Sequence, residues 1–326
     1  PEVIEESLTG KNPYAGRTSL TTDEDGITQL IEEDEISELI VHMDTPEAKI
    51  AYLHNYWRDV WTRRSEDENT IFQLLTTIAE CAKACNQSGK RLRLITEKDV
   101  EQGAKRLKAN TARGLDDWEP AWLRNLTRQQ RIELAELLND IEIEVMWPYQ
   151  IYINLIVLMG KPNGGVRPIA LMCMLYRLWT KIRKEQISEW EKLHIGPWDA
   201  AIRASSALRH AIIGAFHDEV AVGTGLDSAT VLWDMEKFYD NIAIPKLIDK
   251  AIEMDYPIQI LALGLQMHMA VRCLKAYDCY CTVGNTYNGV IAGCTQSNVF
   301  ARIFLFAILR KSFQGDPHLY IRSFVD

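Results

Sequence analysis

The sequence predicts an α+β fold, and three features carry that prediction. Apolar residues recur at helical spacing through much of residues 36–145. Past Pro148 they give way to short β-branched runs broken by Gly and Asn. Helical stretches then return without the regular strand–helix alternation that builds a parallel sheet, and no internal repeat is present. With 47% hydrophobic and 25% charged residues in 326, the composition excludes wholesale disorder. The longest strictly apolar run, Ile303 to Leu309, is far short of the roughly 20 residues of a membrane-spanning helix, so no membrane partner is expected.

The elements follow in order. Residues 1–35, rich in Thr, Gly, Glu and Asp, read as mostly irregular. Periodicity from about Ile36 strengthens into helices over 48–63 and 70–85, and Asn86-Gln87-Ser88-Gly89 is a turn and a boundary. Thr96 ahead of Lys98 and Asp99 is an N-cap for a helix to about residue 108, and a further helix spans 128–145 after the break at 114–120. Residues 151–159 and 166–171 are β-branched runs flanking Lys161-Pro162-Asn163-Gly164-Gly165, which predicts a hairpin. Helices fit 176–193 and 200–221, and 229–234 reads as a buried strand ending on Asp234. Helices at 245–254 and 258–270, strands within 271–283, a helix over 296–313 and a strand over 319–326 complete the reading.

Charge is unevenly spread. Residues 1–50 hold 13 acids and 3 bases, a balance of −10 against −9 for the whole chain, so the remainder sums to about +1. Within that near-neutral body, residues 90–113 carry eight bases against three acids and residues 161–192 seven against three. Such stretches suit a polyanion or form a solvated helix face. Seven cysteines, an odd number, indicate a reducing, intracellular setting, nuclear or cytoplasmic. Neither Cys81 with Cys85 nor Cys279 with Cys281 has zinc-ligand company nearby. The chain opens on Pro1 without a leader and is expected to be a piece of a longer one.

Three segments carry chemistry: Asp234-Met235-Glu236-Lys237-Phe238-Tyr239-Asp240, Gly289-Val290-Ile291-Ala292-Gly293-Cys294-Thr295-Gln296-Ser297, and Ser323-Phe324-Val325-Asp326. Singly, each is as easily a turn. In this order they resemble the palm motifs of a reverse transcriptase, most closely those of non-LTR retrotransposons and group II introns. The last looks like an aromatic-x-Asp-Asp motif cut after its first aspartate. The segment from Lys161 to Ile169 is similar to that family's fingers hairpin, and Leu175-Tyr176-Arg177-Leu178 follows where the family has a similar helix. Thr96 through Gly114-Leu115-Asp116 resembles the fingers extension of non-LTR enzymes.

The resemblance implies a right-hand polymerase piece. Residues 1–89 would form an acidic extension, irregular and then helical, 90–222 the fingers, and 223–326 a partial palm without a thumb. It implies RNA-directed DNA synthesis in a retroelement, with an RNA template, a DNA or RNA primer and deoxynucleoside triphosphates as partners. Two magnesium ions would be held by Asp234 and Asp326, since two-metal transfer needs hard carboxylate ligands. Lys161 and Arg167 would meet the triphosphate, Tyr239 would exclude a 2′-hydroxyl, and Gly289 and Gly293 would let nucleotide and template approach the backbone. Asp240 is expected to be structural. Ala292 stands where the family has glutamine, Asn298 where it has proline, Phe238 where it has a small residue, and Thr111 and Arg113 where it has lysine and proline. The alternative is a catalytically decayed scaffold that still binds nucleic acid. The chain as it stands is expected to be inactive alone, for want of the acid after Asp326 and of a thumb.

Overall fold

Local chemistry sets most of the element boundaries. The computed structural model describes residues 18–22, 28–32, 45–62, 68–160, 166–194, 196–200, 206–227, 229–315 and 320–323. Helices α1 (Pro46–Thr62) and α2 (Glu68–Gln87) lead in. Helix α3 (Glu97–Lys105) starts at Thr96, whose hydroxyl accepts from the Asp99 amide while the Asp99 carboxylate accepts from the Thr96 amide at 2.8 Å. Thr127 and Gln130 repeat this reciprocal cap at α5 (Arg128–Glu144), after the short α4 (Pro120–Arg124). Each cap satisfies amides that a helix start would otherwise strand. Helix α6 (Met174–His194) is started from a distance, by the Asp116 carboxylate accepting from the Met174 amide at 2.5 Å. Ser206 caps α7 (Ala207–Thr224), which Gly225 ends in a left-handed conformation at φ 72°. Helices α8 (Ile244–Glu253), α9 (Ile258–His268) and α10 (Ser297–Gly315) complete the set. None of the described helices is long and apolar enough to cross a membrane.

Strands β1 (Thr18–Thr22) and β2 (Thr28–Glu32) pair as an antiparallel hairpin of their own. This corrects the irregular reading of that stretch: its β-branched threonines favour an extended, paired backbone over a loop. The main sheet has the order β4-β3-β5-β6. Strands β3 (Ile153–Gly160) and β4 (Val166–Leu171) pair antiparallel as the expected hairpin, with Met159 opposite Arg167. Strand β5 (Val271–Ala276) runs parallel to β3, and β6 (Cys279–Gly284) returns antiparallel to β5. Helices and a mixed sheet without βα alternation make the fold α+β, as predicted.

The core is organised on α6. Its Tyr176 and Trp179 meet Trp147 edge-on, with ring centroids 5.5 and 5.2 Å away, and the Trp147 indole donates to the Leu263 carbonyl of α9 at 2.9 Å. One turn further, Arg183 is fully buried and pairs with Glu142 of α5, Nε donating to Oε1 at 2.6 Å and Nη2 to Oε2. Glu142 Oε1 also accepts from the Trp179 indole at 2.7 Å, and Arg183 Nη2 donates to the Arg93 carbonyl at 2.8 Å. The lead-in helices join this core, α1 against β6 and α2 against α9. Asn86, at the end of α2, donates to the Glu142 carbonyl at 2.8 Å and accepts from Gln259 of α9 at 3.2 Å.

One strand expectation is corrected, and a second lies half outside the described residues. Residues 229–235 form no strand: Val231, Leu232 and Trp233 are 72%, 91% and 83% exposed, and no described strand runs beside them. Their β-branched and aromatic composition fits a pleated, half-buried surface rather than fixing the backbone, so without a ladder partner it does not make a strand. The strand expected over 319–326 is described only at 320–323. There Ser323 bridges Asp199, donating to the Trp198 carbonyl and accepting from the Ala200 amide, each at 2.8 Å. Helix α7 also departs from the usual pattern, for none of its residues is buried and Leu208, Ile212, Phe216 and Val220 line one exposed side.

Glu142→Gln should test the weight carried by the Arg183 pair. Stranding a buried guanidinium costs about 3–5 kcal/mol, so urea unfolding is expected to move by that order. A loss below about 1 kcal/mol would mean that water or neighbouring carbonyls already satisfy Arg183.

Candidate active site

The acidic segment begins at Asp234, which is exposed on the irregular stretch 229–235. The chain then tightens. Lys237 takes a left-handed φ of 45°, and residues Tyr239–Asn241 form a 3-10 turn closed by the Asn241 amide on the Phe238 carbonyl at 3.1 Å. This turn is held from two sides. The Trp61 indole of α1 donates to Asp240 Oδ1 at 2.7 Å, and Asn288 Nδ2 donates to the Asp240 carbonyl at 3.0 Å. The Arg272 guanidinium of β5 lies 4.3 Å from the Trp61 ring centroid and is buried with it. Burial raises the Asp240 carboxyl above the usual carboxylate range, against the pull of Arg272 and the Trp61 bond. Burial likewise draws Arg272 down to about 10, with Asp240 opposing. Asp240 is therefore turned inward and occupied, as expected for a structural acid.

The glycine-bearing segment docks onto that turn. Gly289 has φ +78°, and a Cβ there would lie 2.6 Å from the Asp240 carbonyl oxygen. Only glycine allows this approach, so what Gly289 admits is the Asp240 backbone, and the residue is buried. The Gly289 amide donates to the Ile242 carbonyl at 2.9 Å and the Val290 amide to the Tyr239 carbonyl at 2.8 Å. The Tyr239 hydroxyl donates to Asn298 Oδ1 at 2.9 Å, at the start of α10. Gly293, by contrast, is exposed with φ +95°, and the nearest neighbour of a Cβ at that position would be the Ala170 carbonyl oxygen of β4 at 3.6 Å. Arg167, three residues earlier on β4, is exposed.

The structure thus brings Tyr239, Gly289, Gly293 and the β4 strand bearing Arg167 into one region. Lys161 and Asp326 lie outside the described residues. Among the described residues no three His, Cys, Asp or Glu side chains gather as a metal site. Asp234 offers one solvent-facing carboxylate, an oxygen donor of the hard kind. The Gly114-Leu115-Asp116 motif proves structural, since Asp116 caps α6 while Arg177 Nη1 reaches back to the Ala112 carbonyl at 2.5 Å.

Three residues important here had no local signal in the sequence. Trp61 acts across 179 positions of chain, Arg272 is an ordinary-looking strand cation, and His268 closes α9. The His268 Nδ1 accepts from the Ile291 amide at 2.8 Å, inside the glycine-bearing segment, and its ring packs edge-on to Phe300. Burial, and then the charge of Arg272, hold its pKa down at about 3, so the ring is neutral and keeps that acceptor. No protein-family model matches the chain, and no curated protein matches it.

Two measurements follow from this site. Between pH 6.5 and about 3 the unfolded chain protonates His268 while the folded one does not. Its contribution therefore falls as pH drops through that window, on the order of 1 kcal/mol per pH unit. Thermal melts of His268→Gln should show a shallower acid slope than the unaltered chain; equal slopes would remove His268 from the account. Trp61→Phe keeps the ring but deletes the donor to a buried carboxylate, and should cost about 1.5–3 kcal/mol. A loss near zero in urea unfolding would show that Asp240 finds another donor.

Proposed function

We propose that the chain is the fingers and palm region of an RNA-directed DNA polymerase, of the kind found in non-LTR retrotransposons and group II introns. The observation that carries this reading is the docking of two motif segments far apart in sequence. The Tyr239–Asp240 turn is bonded to the Gly289–Asn298 segment, and Gly293 of that segment adjoins the β3–β4 hairpin. A nucleotide-binding centre needs such convergence, and neither composition nor burial alone demands it.

In this reading the chain's own residues act as follows. Asp234 and Asp326 would hold two magnesium ions, which supply charge stabilisation for the attacking and leaving oxygens of an in-line transfer. Arg167, with Lys161, meets the triphosphate, the guanidinium as a bidentate donor and the ammonium as a point charge. Tyr239 presents its ring to the sugar and excludes a 2′-hydroxyl. Asn298 fixes that ring by accepting its phenol proton, a service the proline usual at this position in the family would not provide. Gly293 leaves the backbone open to a close approach on its exposed side.

A scaffold that binds nucleic acid without chemistry is favoured by one observation, the placement of Asp234 on an exposed, irregular segment. Primer extension on an RNA template with magnesium and deoxynucleotides, run on the full open reading frame, separates the two. Extension abolished by Asp234→Asn supports the polymerase; template binding with no extension supports the scaffold. In an active protein Tyr239→Ala should admit ribonucleotides while sparing deoxynucleotide use, and Asn298→Ala, which only unties the phenol, should fall between. Unchanged discrimination in both would end the steric role of Tyr239.

A further inference from the structure

Five cations of the two basic stretches are paired with carboxylates. Lys105 pairs with Glu101 at 2.6 Å, Arg106 with Glu185 at 2.8 Å, Arg93 with Asp99 at 2.8 Å, Arg113 with Asp117 at 3.0 Å, and Arg183 with Glu142. Three that are not so matched gather at one place. Lys181 and Lys184 share a face of α6, and Lys108 lies two residues after Arg106, whose Nη1 donates to the Lys181 carbonyl at 3.2 Å. None of the three has an ion-pair partner among the described residues. Lys181 Nζ lies 3.5 Å from Oγ1 of Thr295, an exposed residue two positions beyond Gly293. Arg177, one turn earlier, has Asp116 beside it, so its charge is offset. Burial first, and then Lys184, Lys108 and Arg177, draw the Lys181 ammonium below the usual lysine range. Glu185, one turn after Lys181, is taken up by Arg106, so the three lysine charges keep a local positive field that attracts a polyanion.

We propose that Lys108, Lys181, Lys184 and Thr295 form a binding face for the backbone phosphates of a single-stranded nucleic acid passing Gly293. Lysines supply mobile point charges to successive phosphates, and the Thr295 hydroxyl adds a donor of fixed position. As a phosphate-binding face it needs no catalysis; that the strand is a template rests on the polymerase reading above.

The test is fluorescence anisotropy of a short labelled RNA against the full chain over a range of salt concentrations. Lys181→Gln with Lys184→Gln should weaken binding at every salt concentration. It should also lower the slope of log affinity on log salt by about 1.4, two single-strand phosphates at about 0.7 each. Lys181→Arg with Lys184→Arg should restore both, and Lys90→Gln with Lys98→Gln, an equal change of charge at exposed sites elsewhere, should leave the slope nearly unchanged. Four results overturn the proposal: no RNA binding by the unaltered chain, no change in the Lys181/Lys184 variant, an equal change in the Lys90/Lys98 variant, or displacement of the RNA by polyglutamate as readily as by unlabelled RNA. Loss of binding in the lysine variant without primer extension by the full reading frame would leave this face standing and the polymerase reading fallen. Extension with no effect of the lysines would do the reverse.

Discussion

The buried pair of Arg183 and Glu142 is the constraint on which the remaining architecture hangs. Taking two charges out of water is costly, and the cost is recovered only when geometry fills their remaining bonding capacity. Here the Trp179 indole and the Arg93 carbonyl complete most of that requirement. The pair can form in few arrangements, so it fixes α6 against α5 and against the segment before α3. Everything α6 carries is then placed by that one registration. Tyr176 reaches Gln296 at 3.2 Å at the start of α10, Lys181 reaches Thr295, and Trp190 donates to the Met254 carbonyl after α8.

A second constraint arrives from the opposite end of the chain. Helix α1 belongs to the acidic lead-in by sequence, yet its Trp61 supplies the donor that keeps the Asp240 carboxylate satisfied indoors. The carbonyl of Trp61 also accepts from the Asn288 amide at 3.2 Å. One residue therefore ties the acidic turn and the glycine-bearing loop to the same helix. The division of labour between the two aspartates of the segment follows: Asp240 is consumed by structure, and Asp234 faces solvent.

Much of this was legible in the sequence where local chemistry decides. Thr96 announces its helix because a cap is a bond between near neighbours, and the hairpin of β3 and β4 announces itself through β-branched runs on either side of Asn163-Gly164. The candidate site was legible as motifs but not as contacts. Gly289 looked like room for a ligand and is room for the Asp240 backbone. Residues 229–234 looked like a strand because composition reports the surroundings a segment suits, and those surroundings consist of other segments. Trp61, Arg272 and His268 were silent for the same reason: their meaning lies in partners that the fold alone brings near.

The uncovered side of α7 has a consequence for how the molecule behaves among its own copies. Together with Val231, Leu232 and Trp233 it keeps an apolar band in contact with water, on a body whose net charge is about +1. Two such bodies approach with almost no electrostatic barrier, and apolar contact favours their staying together. The −10 carried by residues 1–50 opposes that approach. The reach of that repulsion shrinks to about 8 Å at physiological ionic strength. Trimming the acidic lead-in, or raising salt, removes the repulsion and leaves the band free to drive self-association.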